Sequence, residues 1–112
     1  MTKPKAPEHL SLPARRLFDS IHGLYALEDH DRAVLVKALE AWDRGEQARQ
    51  RVDADGLTVT SRFGEVKPHP LLSVERDTRA AFLAAMRQLG LDYEPVTHQQ
   101  RTANARAARW TA

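Results

Sequence analysis

The sequence has no cysteine among its 112 residues, and this absence removes several kinds of chemistry at once. Disulfide bonds, cysteine zinc sites and thiol nucleophiles are all excluded. The five glycines stand apart from one another, so no glycine-rich phosphate loop is present and ATP hydrolysis is not expected. No apolar run approaches the roughly 18 residues of a membrane helix, and the N-terminus lacks a signal-peptide core. We expect a soluble chain without a membrane partner, in keeping with a reducing cytoplasm.

Catalytic and metal-binding patterns are also missing. The five histidines show no HExxH or other metal spacing. Asp29 and Asp31 flank His30 where a helix is predicted to start, which favours capping over metal ligation. Asp53 and Asp55 precede a glycine as in a calcium loop, but the later ligands of such a loop are absent. We therefore expect no catalytic residue, no metal site and no cofactor.

Charge is unevenly distributed, although the formal net charge is only +2. Residues 1–16 carry four cations and one carboxylate, residues 28–56 carry five cations and eight carboxylates, and residues 95–112 carry three cations alone. Basic chain ends attract polyanions such as DNA. The predicted DNA-binding residues are Lys3, Lys5, Arg15 and Arg16 at one end and Arg101, Arg106 and Arg109 at the other. Two alternatives stay open: solvated arms, or pairing of Arg15 and Arg16 with a neighbour's carboxylates.

Length and hydrophobic content (42%) predict one compact domain. Residues 1–10, with two prolines, are predicted to be a flexible basic arm. Residues 11–91 are predicted to form a helical core and residues 92–112 a basic tail. Ser11 is a suitable N-cap and Pro13 suits a first turn, so a short amphipathic helix is predicted from Leu12 to about Gly23.

A second, longer helix is predicted from Ala33 to about Asp53, with Asp29 or Asp31 as its cap and a glycine as its stop. Its first half carries an apolar stripe, but its second half is polar. Such a helix projects beyond its own core or lies against a partner copy. A shorter helix with a frayed end is the alternative.

A β-hairpin is predicted at about 57–67, where Leu-Thr-Val-Thr alternates and Gly64 provides the turn. Two strands are marginal alone, so a helix or a neighbouring subunit should cover one face. Pro68 ends the return strand, and Pro70 suits the first turn of a third helix that runs to Leu89. The predicted fold class is mainly α with this small hairpin: short helix, long helix, hairpin, third helix.

His69 lies between two prolines at this junction, and we predict a structural role in which its ring caps the third helix. A catalytic histidine would need an orienting carboxylate together with a nucleophile or metal, and nothing in the sequence specifies that geometry. Apolar positions on the two long helices predict core or oligomer contacts by Leu35, Leu39, Trp42, Phe82 and Met86.

The polar C-terminal run THQQRTANARAARWTA contains Trp110, and an exposed tryptophan is often an interface anchor. We predict that this run is a docking segment for a partner protein or for DNA. A helix that folds back on its own subunit is the alternative.

The segment GLTVTSRFGEVKPHP, followed by a helix that ends in LGL, resembles the small terminase subunits of tailed bacteriophages. The resemblance covers roughly residues 7–91, and the chain departs from the family pattern afterwards with Asp92-Tyr-Glu-Pro95. It implies a non-enzymatic packaging component in the host bacterial cytoplasm. It also implies a homo-oligomeric ring of about eight or more subunits, with double-stranded viral DNA and the large terminase subunit (ATPase and nuclease) as partners. On this resemblance Trp110 would dock on the large subunit.

Two other binding classes remain open. The first two helices could form the helix-turn-helix of a dimeric DNA-binding regulator, although the second helix begins with acidic residues. An adaptor protein whose basic tail binds an acidic protein is the third class. The mass of the protein in solution separates the terminase subunit from the regulator, because a ring favours the terminase subunit and a dimer favours the regulator.

Overall fold

The structure is a computed structural model that describes residues 4–91. Along this range the chain forms three helices and one antiparallel hairpin: α1 Leu12–Leu24, α2 Asp29–Asp55, β1 Thr58–Thr60, β2 Val66–Pro68 and α3 Leu71–Gln88. The predicted order of elements and the mainly α class with a small hairpin are confirmed. The ring concerns several copies of the chain and stays a prediction.

Ser11 begins α1 and also ties it to α2. Its hydroxyl oxygen accepts a hydrogen bond from the Ala14 amide at 3.2 Å, as expected for an N-cap. The same hydroxyl and the Ser11 amide both donate to the Asp43 carboxylate on α2, the amide at 2.8 Å. One residue therefore starts the first helix and fixes its position on the second.

Residues 4–10 differ from the predicted flexible arm. Ala6 and Leu10 are buried in the same cluster as Phe18, and the His9 ring donates through Nε2 to the Glu40 carboxylate at 2.7 Å. The proline-containing segment thus covers the core instead of leaving it. Residues 1–3, with Lys3, and the predicted tail 92–112 lie outside the described range.

α2 is longer than predicted, and the alternative of a frayed, shorter helix is wrong. Its 27 residues span about 40 Å and end at Asp55. The N-cap is Glu28, and the predicted cap Asp31 acts from within the first turn by accepting the Glu28 amide at 3.1 Å. Ion pairs along its polar half stabilise the helix, since Arg49 bridges the carboxylates of residues 46 and 53 at 3.0 and 2.9 Å.

The core lies where α1, the N-terminal half of α2 and the C-terminal end of α3 meet. Phe18, Leu35 and Leu39 are its largest fully buried side chains. α3 itself has no buried residue between Leu71 and Gln88, because α2 covers only one side of it. Val74 and Ala81, two apolar residues of α3, are accordingly exposed.

α2 and α3 are in close contact at Gly45. A Cβ atom built on Gly45 would lie 2.6 Å from Oγ1 of Thr78 on α3, well inside a normal contact. That oxygen cannot turn away freely, because it donates to the Val74 carbonyl at 2.7 Å. A glycine within a helix normally costs about 1 kcal/mol relative to alanine. The close contact between the helices explains why it is here.

We expect Gly45→Ala to lower the free energy of unfolding by about 1–3 kcal/mol, since the methyl group must push α3 away. Chemical denaturation of the purified protein measures this loss. Gly23→Ala in α1 is the matched control, because no atom lies within 4 Å of its Cβ position and helix propensity should make it neutral or stabilising.

Thr78→Ala should remove the destabilising effect of Gly45→Ala. In the Thr78→Ala background the clashing oxygen is gone, so Gly45→Ala should become neutral or favourable. Equal losses in both backgrounds would contradict the proposed close contact.

Candidate assembly and nucleic-acid surfaces

His69 joins three elements of the fold. Its ring is 5% exposed; Nδ1 accepts from the Leu71 amide at 3.1 Å, and Nε2 donates to the Asp55 carboxylate at 3.0 Å. Its backbone amide donates to the Leu57 carbonyl at 2.8 Å, and its carbonyl accepts from the Leu72 amide at 3.1 Å. The end of α2, the base of the hairpin and the start of α3 are thus held by one residue.

The prediction that His69 caps the third helix through its ring is confirmed. The orienting carboxylate that the sequence did not identify is Asp55, which also accepts from Arg51 at 2.8 Å. Because Nδ1 accepts from the backbone and Nε2 donates to Asp55, neither ring nitrogen is left to accept a proton from a substrate. The arrangement suits a structural junction. Within residues 4–91, no cluster of three or more candidate ligands could hold a metal ion.

A groove runs between α2 and α3 on one flank of the helix pair. Trp42 and Phe82, both partly buried, and Leu83, 47% exposed, provide its apolar surface beside Gly45. The polar part of its lining pairs internally, with Arg49 bonded to Glu46 and Arg79 to Glu75. We call this surface the Trp42 groove. An aromatic centre with a polar rim is the composition of a protein contact site.

The opposite flank has a second, shallower groove, which we call the alanine groove. Its lining consists of Ala33, Val34, Lys37, Ala38, Ala81 and Ala85. Ala33 and Trp42 are nine positions apart on α2, which places them about 180° apart around the helix. Both flanks of the helix pair are therefore left open by the described residues of a single copy.

The hairpin is exposed on almost its entire surface, so residues 4–91 do not supply its predicted cover. Only Val59 among its strand residues is partly buried. Phe63 in the turn is 82% exposed, and the Arg62 guanidinium lies 4.9 Å from the centre of its ring. We call Arg62 and Phe63 the hairpin tip. Sequence reasoning treated this turn only as a connection, although a phenylalanine at such a position was a usable signal.

The predicted DNA-binding residues are only partly described. Lys5 lies 3.5 Å from Glu8, with both side chains exposed, so this pairing is weak. Arg16 is exposed and Arg15 is half-buried; neither forms an ion pair with another residue of the range 4–91, and the Arg15 Nε is buried without a hydrogen-bond partner there. The remaining four lie outside the described residues: Lys3, Arg101, Arg106 and Arg109.

The described part of the chain carries no net charge. Four of the seventeen cations and two of the fifteen carboxylates fall outside residues 4–91, which leaves thirteen of each within them. The whole surplus of +2 therefore lies in residues 1–3 and 92–112. This is consistent with polyanion contact at the chain ends.

The predicted core or oligomer residues separate into two groups. Leu35 and Leu39 are fully buried in the core. Trp42, Phe82 and Met86 are partly buried and pack against that core from its edge. Trp110, the predicted docking residue, lies outside the described range.

A comparison with protein families identifies the class to which the chain belongs. The profile of the family described as "Phage terminase, small subunit" matches residues 15–108, more than four fifths of the chain. The chain therefore belongs to the small terminase subunits, as the resemblance indicated, and its role lies in phage genome packaging. Searches of curated proteins and of solved structures returned no match. No helix within residues 4–91 has the length and hydropathy needed to span a bilayer.

Removing the His69 ring should destabilise the protein. His69→Ala leaves the Leu71 amide uncapped and removes one of the two partners of Asp55, so we expect a loss of about 0.5–2 kcal/mol from the cap alone. His69→Asn is the comparison, since a shorter side chain can still accept from the Leu71 amide and should recover part of that loss. Thermal melting measures both, and equal losses would show that the cap contributes nothing.

The junction should also show a pH dependence. The His69 hydrogen bond, followed by that of Arg51, lowers the pKa of Asp55 below its ordinary value of 3.8. Because the folded-state pKa is depressed, this stabilisation is complete above about pH 4 and is lost as the pH falls through the folded pKa. The stability difference between wild type and Asp55→Asn should therefore narrow below pH 4. A difference independent of pH would contradict this assignment.

Proposed function

We propose that this chain assembles into a ring of about eight or more copies that binds double-stranded viral DNA and regulates the large terminase subunit. It works without catalytic activity of its own in the cytoplasm of the bacterial host. The observation that carries the ring is the openness of the helix pair: within residues 4–91, α3 is covered on one side only, and no other part of this range covers the two flanking grooves or the hairpin.

These surfaces suit repeated contacts between identical subunits. The two grooves differ in composition and lie on opposite flanks. A single copy therefore presents two different surfaces that face in opposite directions. Contacts between unlike patches are heterologous, and they close into a ring when the rotation between neighbours allows it. An isologous dimer would instead use one self-complementary patch, and it would leave most of this open surface uncovered.

DNA contact is proposed for the chain ends. The described fold is electrically neutral, whereas residues 1–3 and 92–112 carry the surplus of positive charge. Arg16, exposed on α1, adds a cation without an ion-pair partner among residues 4–91. A few cations per copy are weak alone, but repetition around a ring provides avidity.

Regulation of the large subunit is proposed for the C-terminal segment with Trp110. The family includes this segment in part, since its profile extends to residue 108. A non-enzymatic role is supported by the commitment of both His69 ring nitrogens to the fold.

The proposal predicts salt-dependent DNA binding by an assembly of high mass. Two alanine variants, one of Lys3, Lys5, Arg15 and Arg16 and one of Arg101, Arg106 and Arg109, should flatten the dependence of log affinity on log salt. The slope should change by roughly 0.9 for each phosphate that the protein no longer neutralises. Fluorescence anisotropy over a salt series measures it.

The control is an alanine variant that removes three cations elsewhere, at Arg44, Arg76 and Arg87. It should leave the slope of log affinity against log salt nearly unchanged. Native mass spectrometry should show the same ring for all variants. An unchanged slope in both terminal variants would exclude these residues from the DNA site. A dimer would favour the helix-turn-helix regulator, and a monomer would exclude the ring.

A further inference from the structure

The hairpin tip presents a large apolar side chain in a well-held turn. The Gly64 amide donates to the Ser61 carbonyl at 3.0 Å, and Gly64 has φ +83°, so Arg62 and Phe63 occupy the two central positions of the turn. The Ser61 hydroxyl oxygen also accepts from the amides of Phe63 and Glu65, each at 3.2 Å. These positions normally carry polar residues or glycine, so a phenylalanine that is 82% exposed there calls for a contact from outside residues 4–91.

Arg62 adds a charge to this tip. Its guanidinium lies against the Phe63 ring and has no ion-pair partner within residues 4–91, because the nearby Glu65 pairs with Lys67 at 3.3 Å. Arginine and aromatic residues dominate the energetically important positions of protein interfaces. The surface that fits this tip is an apolar pocket with a carboxylate at its edge.

The Trp42 groove offers this chemistry on the same chain. Trp42, Phe82 and Leu83 provide the apolar surface, and Leu83 remains 47% exposed. At the edge, the Glu75 carboxylate accepts from Arg79 through Oε1 at 3.2 Å. Its second oxygen forms no other hydrogen bond with residues 4–91, so it can accept from a further guanidinium.

We propose that the hairpin tip of one copy inserts into the Trp42 groove of the next copy. Phe63 packs against Trp42, Phe82 and Leu83, and Arg62 donates to Glu75. The inference rests on the proposed ring and specifies the contact that builds it. Because tip and groove are different surfaces, each copy donates one tip and accepts another, and the contact repeats around the ring.

Other occupants fit the groove less well. The alanine groove of a neighbour is itself concave, and two concave surfaces do not fill one another. DNA is a poor partner for the hairpin, because one face of it presents only Thr58, Thr60, Val66 and Pro68, none of them charged. The C-terminal segment is the remaining competitor, and the experiment below distinguishes it.

Disulfide cross-linking tests the contact directly, because the sequence has no cysteine of its own. Under mild oxidation, the double variant Phe63→Cys/Leu83→Cys should form a covalent ladder that ends at the ring mass. The two single variants, mixed in equal amounts, should give cross-linked heterodimers and nothing larger. Neither single variant should cross-link alone. A Phe63→Cys variant that links to itself would overturn the inference, since it would show that tips meet tips.

Charge substitution supplies a second measurement. Phe63→Asp and Leu83→Glu should each weaken assembly at least about tenfold, as judged by the concentration at which the ring dissociates. Leu12→Asp is the matched control, because Leu12 is 53% exposed on α1 outside the groove and should leave assembly unchanged. Mixing Phe63→Asp with Leu83→Glu should restore one contact and give heterodimers. Thermal melting verifies that each variant remains folded.

The outcomes separate this inference from the proposed function. If the wild-type chain forms a ring but the double cysteine variant does not link, the tip contact is wrong and the ring stands. If deletion of residues 95–112 abolishes the cross-link, the C-terminal segment provides the contact and the inference fails. A monomeric wild type would overturn both.

Discussion

The close approach of α2 and α3 at Gly45 and Thr78 is the constraint on which the rest of the structure depends. It brings two long helices together along one side each, and Ala48 and Val52 in the second half of α2 are buried. Within residues 4–91, no third element then covers either flank of the pair over the polar half of α2. The same contact that stabilises the single chain therefore also creates the surfaces that the proposed assembly would use.

His69 determines where the hairpin points relative to this helix pair. The residue receives a hydrogen bond from α3, donates one to the end of α2, and bonds the base of β1 through its backbone. Since both helices and the hairpin share this fixed point, the tip should hold its position relative to the Trp42 groove. An assembly built from tips and grooves requires such a fixed geometry, because a loose hinge would not close a ring of defined size.

Local signals made most of the fold predictable, and non-local contacts explain what was missed. The cap at Ser11, the prolines around His69 and the glycines at 56 and 90 act within a few residues, so they could be read from sequence. The partner of His69 lies fourteen residues away and depends on how α2 meets α3. Ala6 and Leu10 were assigned to an arm because the neighbouring prolines suggested a linker, yet they cover the core. The grooves likewise arise from helix pairing, which periodicity alone does not position.

The distribution of charge gives the two proposed interactions opposite physical characters. Residues 4–91 are neutral and the proposed contact between copies is largely apolar, so assembly through it would not accumulate charge as copies are added. The chain ends carry the surplus, and each added copy increases the positive charge that the assembly offers to a polyanion. Salt screens the proposed contact of the chain ends with DNA strongly and the apolar contact between copies weakly. The proposed ring would therefore release DNA as ionic strength rises while it stays assembled, and the proposed role, in which DNA is bound and later freed, would use that separation.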